Sequence, residues 1–412
     1  MSFDLVEFDS KIKNSKNILN DYFIITAEAP GKESVLRTKS QSEDYHFIDY
    51  GPESYRIIGI FDGHGGNNPL FAKESSQILI NKIHELIPRI ENNTKDKEIQ
   101  DKLTESFKLT NKEIAKIKDS SSQGTTATIA IISSKKLYVA HVGDSPAYIV
   151  DSKNKSSTIT KNHNCPECDR LSGFISQSSQ YRFEVHSDNK WRIVVNKDNS
   201  MLSNYGLQVT RFFGNKFYNQ YNLHNEIPDV TERRLSEMNF ILLASDGVSD
   251  AVENYNLLPS DIFLNFLKKS YEEKANKKKI SKLDHNSKEN LYKDHPLLQS
   301  SKKFLDFCNR MSNDDVTFIL IICLNGRKLD DLCEEMIKSA VDDTEKFKKT
   351  ESEKANQKVI TSKYLDASSE SSSHDNLQTL EKLRIARASH EDLLKDDSTE
   401  FLTLESAVFE EY

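Results

Sequence analysis

Five apolar runs in this chain each carry an acid at one end, and this pattern constrains the fold more than any other feature. Glu43-Asp44 precedes Tyr45-His46-Phe47-Ile48, and Asp62 follows Tyr55-Arg56-Ile57-Ile58-Gly59-Ile60-Phe61. Asp144 follows the run 137–143, Asp246 follows 240–245, and Asp314-Asp315 opens 316–322. Short apolar runs of this kind read as buried strands. A carboxylate set against one costs free energy unless it is solvated, paired or bound to a cation. Five repeats of the pattern are hard to explain as separate exposed loop acids. Oxygen ligands in an open geometry favour hard cations such as Mg or Mn over Zn.

The most informative of these strand ends is Phe61-Asp62-Gly63-His64-Gly65-Gly66. Its glycines let the backbone bend sharply and approach a ligand closely. A carboxylate and an imidazole two residues apart on such a turn suit a metal site or phosphate chemistry. Several carboxylates facing one cleft repel one another unless cations neutralise them. Two cations about 4 Å apart can activate a shared water for attack on a phosphate monoester. No Ser-His-Asp arrangement has supporting motifs, so Ser145 beside Asp144 reads as a turn hydroxyl.

Along the chain, residues 21–27 read as a first strand. Apolar residues at helical spacing over 68–90 (Leu70, Ile78, Ile80, Ile83, Leu86) and 100–116 (Leu103, Phe107, Leu109, Ile114) predict two amphipathic helices. Strands over 125–133, 136–142 and 146–150, with short turns between, read as an antiparallel meander. Residues 162–205 read as an inserted flap. Helices are predicted over 257–274 and 299–311, with a polar Lys/Asn/Ser-rich insertion over 275–297 between them. The organisation expected is a polar lead-in (1–19), one catalytic domain (20–325) and an acidic, partly helical tail (326–412). The tail holds helical patterns over 329–347 and 377–394 around the serine-rich stretch 368–373. Antiparallel strand runs with paired helices predict an α+β fold of two sheets face to face, covered by helices.

Of the 412 residues, those from Lys328 onward hold 12 Lys/Arg against 21 Asp/Glu, a net of −9 in a chain of net −8. Residues 1–327 are therefore almost neutral, which argues against a nucleic-acid footprint. No stretch reaches the ~18 apolar residues of a membrane helix, and the acidic start lacks a signal-peptide apolar region. A cytoplasmic or nuclear protein is expected, with no membrane partner, acting as a monomer, and with a regulatory partner for the tail. Five cysteines (Cys165, Cys168, Cys308, Cys323, Cys333) in that setting read as reduced thiols. Cys165 and Cys168, just after His163, are half of a zinc-ligand spacing that no second pair completes.

In order, the chain carries Ser42-Glu43-Asp44, the 61–66 turn, Gly124-Thr125-Thr126-Ala127, Val142-Gly143-Asp144-Ser145, Leu207-Gln208-Val209-Thr210-Arg211-Phe212-Phe213-Gly214, Leu243-Ala244-Ser245-Asp246-Gly247 and Asp314-Asp315-Val316-Thr317. Over roughly residues 20–325 this resembles the metal-dependent protein phosphatase family of type 2C. The resemblance implies a four-layer α-β-β-α sandwich with the metal turns gathered at one end. It implies hydrolysis of phosphoserine and phosphothreonine in phosphoprotein substrates by a water activated by two Mg or Mn ions, with a weaker third. The alternative within the same fold is a pseudophosphatase scaffold that acts by binding. By resemblance, Asp62 bridges both ions, Glu43 and the Gly63 carbonyl serve one, and Asp246 and Asp314 serve the other. Asp44 holds water from outside the ligand set, Asp144 supports the third ion with Asp246, and His64 is the general acid. The phosphate-binding cation falls on Arg37 or Lys39. The chain departs from the family pattern at Pro146, Asn162, Asn215 and Asp315, where Arg, Asp, Asp and Asn are usual. None of these removes a ligand that the resemblance implies.

Overall fold

The computed structural model describes residues 22–31, 42–51, 54–66, 68–91, 93–117, 122–164, 181–185, 191–195, 206–216, 226–255, 257–280 and 295–339. In chain order the strands are β1 (Tyr22–Ala29), β2 (Tyr45–Asp49), β3 (Tyr55–Phe61), β4 (Gly63–His64), β5 (Gly124–Thr125), β6 (Ala127–Ser133), β7 (Lys136–Val142) and β8 (Ala147–Asp151). They continue with β9 (Ser156–Thr158), β10 (Tyr181–Val185), β11 (Trp191–Val195), β12 (Phe213–Gly214), β13 (Asp229–Arg234), β14 (Met238–Ala244) and β15 (Val316–Cys323). The helices are α1 (Leu70–Leu86), α2 (Asp96–Ile114), α3 (Asp246–Val252), α4 (Pro259–Ile280), α5 (Pro296–Met311) and α6 (Leu329–Ser339).

Two five-stranded antiparallel sheets form the centre, ordered β1-β15-β14-β8-β9 and β13-β7-β6-β3-β2. Successive strand residues face opposite sides, and this alternation sorts the core into layers. Ile58, Ile60, Ala130, Ile132 and Val139 meet Ala147, Ile241, Leu243, Ile319 and Ile321 between the sheets. Their neighbours Ile57, Phe61, Ile129, Ile131 and Tyr138 face outward onto Leu79 and Ile83 of α1 and Leu103 and Phe107 of α2. On the far side, Phe240 of β14 meets Phe263 of α4 edge-on at 5.7 Å. Phe318 of β15 meets Phe304 of α5 at 5.3 Å. The result is the expected α-β-β-α sandwich. Helix α2 carries acids in its first turn and Lys112 in its last, the arrangement that favours a helix dipole.

The strands over 127–151 do not form a single meander. β6 and β7 pair with each other, but β8 leaves for the other sheet and pairs with β14. Gly143 makes the exit with φ +103°, in the left-handed region that glycine tolerates, and Pro146 has no N–H to continue the β7 ladder. Asp144 therefore stands at a crossover between sheets.

The 162–205 segment contributes the β10–β11 hairpin, and Ile193 bridges to Leu207. Helix α4 runs to Ile280, past the expected end at 274. Helix α6, expected in the tail, buries Leu332, Cys333 and Met336. Tyr271 of α4 donates its hydroxyl to Asp330 of α6 at 2.9 Å. The helical pattern over 377–394 and the serine-rich stretch lie outside the described residues. Among the described residues, no helix is long and apolar enough to cross a membrane.

Candidate metal centre

The sandwich brings the acid-bearing strand ends to one place. Asp62 leaves β3 with its main chain held on both sides by the Gly124-Thr125-Thr126 segment. Its N–H donates to Thr126 Oγ1 at 3.1 Å, and its carbonyl accepts from Thr126 N–H at 2.9 Å and Thr125 Oγ1 at 3.0 Å. Gly63 and His64 then pair with Thr125 and Gly124 as β4–β5. A Cβ at Gly63 would lie 2.5 Å from the Glu43 carbonyl oxygen, so only glycine fits under the Glu43 chain there. The Glu43 carboxylate leans over the same turn, since its Oε1 would lie 3.3 Å from a Cβ placed on Gly66.

Asp315, where the family pattern has Asn, ties three segments together. Its Oδ1 accepts from Gly31 N–H at 2.7 Å and its Oδ2 from Glu43 N–H at 2.8 Å. An amide has one oxygen and could not accept with both arms. The neighbouring Asp314 accepts the Asp315 N–H on Oδ1 at 2.8 Å. Asp246 opens α3 directly after β14, and its N–H points at Asp62 Oδ2 from 3.4 Å. Ser145 meets Thr126 hydroxyl to hydroxyl at 2.6 Å, the turn role expected of it.

These acids feel one another's charge. Burial, and after it the charges of Asp246, Asp44, Asp314 and Asp144, push Asp62 well above the usual carboxylate range. Burial, and then Asp315 and Asp314, push Asp44 up as well. Asp44 Oδ2 is buried and makes no hydrogen bond of good geometry among the described residues, although the Thr317 hydroxyl lies close enough to the carboxyl to lower its pKa. Such an oxygen is costly beside other carboxylates, and a cation with its water answers both problems. An all-oxygen donor set with one carboxylate at its centre fits Mg or Mn.

His64 follows Gly63 on the same turn, paired with Gly124. Burial lowers it to about 4. Phe212 stands edge-on to its ring at 5.9 Å, and Asn215 Nδ2 touches its Nε2. With the amide nitrogen as donor, Nε2 accepts and the ring proton sits on Nδ1. Asn215 holds a left-handed φ of 44°, which asparagine tolerates better than most residues.

A second group, His141, His163 and Asp229, brings possible ligand atoms within 4.8 Å of one another. Its geometry suits a structural network better than an ion. The two imidazoles lie parallel, 5° apart in tilt at 4.5 Å, so their in-plane lone pairs do not converge. His163 uses both nitrogens, Nδ1 accepting from Gly143 N–H at 3.1 Å and Nε2 meeting Asp229 Oδ2 at 3.1 Å. His141 Nε2 meets the Lys161 carbonyl, and Arg211 already pairs with Asp229 at 2.7 Å.

The structure thus brings together Glu43, Asp44, Asp62, Gly63, His64, Asp144, Asp246 and Asp314. Arg37 and Lys39 lie outside the described residues. Nothing in the Leu207–Gly214 motif marks Gln208 for a task, yet its amide donates to Asp144 Oδ2 at 2.8 Å.

The sequence profile of protein phosphatase 2C matches residues 31–291. Among curated proteins the chain is similar to probable protein phosphatase 2C 17 of Arabidopsis thaliana, 30% identical over 237 residues that span 54% of this chain and 73% of that one. It is also similar to probable protein phosphatase 2C 45 of Oryza sativa subsp. japonica, 28% identical over 242 residues that span 55% and 72%. Among solved structures, a serine-threonine phosphatase 2C from Toxoplasma gondii superposes with a TM-score of 0.54 at 17% identity, covering 73% of this chain and 94% of that one. At that identity the likeness bears on the fold.

Proposed function

The chain belongs to the protein phosphatase 2C family and is a metal-dependent Ser/Thr phosphatase, and on that premise we propose that the carboxylates around Asp62 hold the two Mg or Mn ions its hydrolysis requires. The observation that carries this reading is the meeting of acid-bearing strand ends at one turn, with the Asp246 N–H aimed at Asp62 Oδ2 from 3.4 Å and Glu43 set over Gly63 and Gly66. Burial, and after it the charges of Asp246, Asp44, Asp314 and Asp144, raise Asp62 there. Acids gathered this closely on five separate segments are stable together when cations share them.

Asp62 is central and would serve both ions. Glu43 and the Gly63 carbonyl would hold one, Asp246 and Asp314 the other, and Asp144 with Asp246 a weaker third. Bound ions of this kind supply an activated water for in-line attack and offset charge on the phosphoryl oxygens. Asp44 would orient water from behind the ligands, consistent with its buried Oδ2, which makes no hydrogen bond of good geometry among the described residues. His64 delivers a proton to the departing Ser or Thr oxygen, and Asn215 and Phe212 hold its ring. Arg37 or Lys39 binds the substrate phosphate, Arg37 through a planar fork that can donate two parallel hydrogen bonds.

The test is release of phosphate from phosphoserine and phosphothreonine peptides by the full chain, with Mn and after exhaustive chelation. Turnover with Mn that vanishes on chelation is expected. Full activity in chelator, or complete inactivity of folded protein at saturating Mn, would contradict the proposal.

A further inference from the structure

We propose that Gln208 is a positioning residue that fixes the Asp144 carboxylate for the weaker third ion, an inference that rests on the reading of Asp144 as a ligand. Gln208 Nε2 donates to Asp144 Oδ2 at 2.8 Å, and Asp144 is buried at the crossover between the sheets. A carboxylate only accepts, so the amide must turn its nitrogen toward it. With one oxygen held by the amide, the plane of the carboxylate is restrained. The amide does this without adding charge, whereas a Lys or Arg there would neutralise the acid and compete with a cation.

Gln208 is itself held on both sides. Leu207 and Ile193 of β11 exchange a pair of backbone hydrogen bonds at 2.9 and 3.1 Å. Two residues further on, Thr210 N–H donates to the His163 carbonyl at 2.7 Å, and its hydroxyl donates to the same oxygen at 2.9 Å. His163 returns to the Asp144 turn, its N–H donating to the Gly143 carbonyl at 3.0 Å and its Nδ1 accepting from Gly143 N–H at 3.1 Å. A closed circuit therefore runs from the Asp144 turn through His163 and Thr210 to Gln208 and back to Asp144. The inserted hairpin pins its free edge. A side chain anchored in this way loses little further freedom in making its bond, and partners of ligating carboxylates typically matter about 10–100-fold for metal affinity.

The experiment titrates the metal-free full chain with Mn and follows bound ions by calorimetry and by the paramagnetic resonance signal of free Mn, so that turnover is not the readout. Gln208→Met removes the donor and keeps the bulk. Gln208→Asn keeps the amide but shortens it by one methylene and guards against a folding defect in the first variant. Both should retain the two tighter ions and weaken the third by roughly 10–100-fold. Asp144→Asn, measured in parallel, should lose the third ion. If Asp144→Asn loses it while both Gln208 variants bind it as tightly as wild type or more so, the role of Gln208 is overturned and Asp144 keeps its own. If Asp144→Asn leaves every ion unchanged, the ligand reading fails and the inference falls with it.

Discussion

Asp62→Asn is expected to cut phosphopeptide turnover by roughly 10³-fold or more, the scale of the several kcal/mol that metal-ion catalysis supplies, while the protein stays folded. Asparagine keeps the size of the side chain, and its main chain can keep the bonds to Thr125 and Thr126. What it loses is the charge at the centre of the cluster. The stability of the metal-free protein should move the opposite way. Burial and four neighbouring acids raise Asp62 in the native state, so the native protein binds a proton that the unfolded chain releases at lower pH. Stability from this group is present below the unfolded value and is lost as pH rises through the native one. At pH 7 without metal the unfolded chain is stabilised by losing a proton that buried Asp62 holds more tightly, a cost to the native state that the asparagine removes. Metal-free Asp62→Asn should melt above metal-free wild type at neutral pH, the gap should close on acidification, and Mn should stabilise wild type more than the variant. Near-normal turnover in the variant would rule out the site.

The second large effect is expected at His64. His64→Gln should leave metal binding intact and slow hydrolysis of phosphoserine peptides by about 100-fold, a usual contribution of a positioned general acid. An alkoxide leaving from a Ser or Thr phosphate needs a proton, whereas an aryl oxide leaves without much help. The loss on p-nitrophenyl phosphate should accordingly be small. Burial lowers His64 to about 4 in the metal-free protein. The role therefore requires the ring to take up a proton beside the substrate phosphate, whose negative charge favours the imidazolium, and to return to the neutral ring as that proton passes to the leaving oxygen. An equal loss on alkyl and aryl phosphates would contradict this role.

Much of this arrangement is legible in the chain. The alternation of Ile57 and Ile58, or of Ile129 and Ala130, already separates the helix-facing core from the one between the sheets, because a strand's side-chain period is two. The acid at the end of each apolar run is visible for the same reason, since polar groups beside buried strands are conspicuous. The crossover at Asp144 is less visible. Three strands with short turns carry the same local signal whether the third stays in the sheet or leaves it, and here the decision lies in the positive φ of Gly143 and in Pro146. Gln208 is invisible to pattern, because it reaches Asp144 across 64 residues through a circuit of main-chain bonds that no periodicity encodes. Helix α6 shows its amphipathic face in sequence, but nothing local names α4 as the partner that covers it.

The central claim is that the carboxylates around Asp62, rather than the His141–His163–Asp229 group, are the metal centre. Crystals of the protein soaked in Mn and measured at the Mn absorption edge test it most directly. The account predicts anomalous peaks within ligand distance of Asp62, one on the side of Glu43 and the Gly63 carbonyl and one on the side of Asp246 and Asp314. A peak at the histidine pair with none at Asp62 would contradict it.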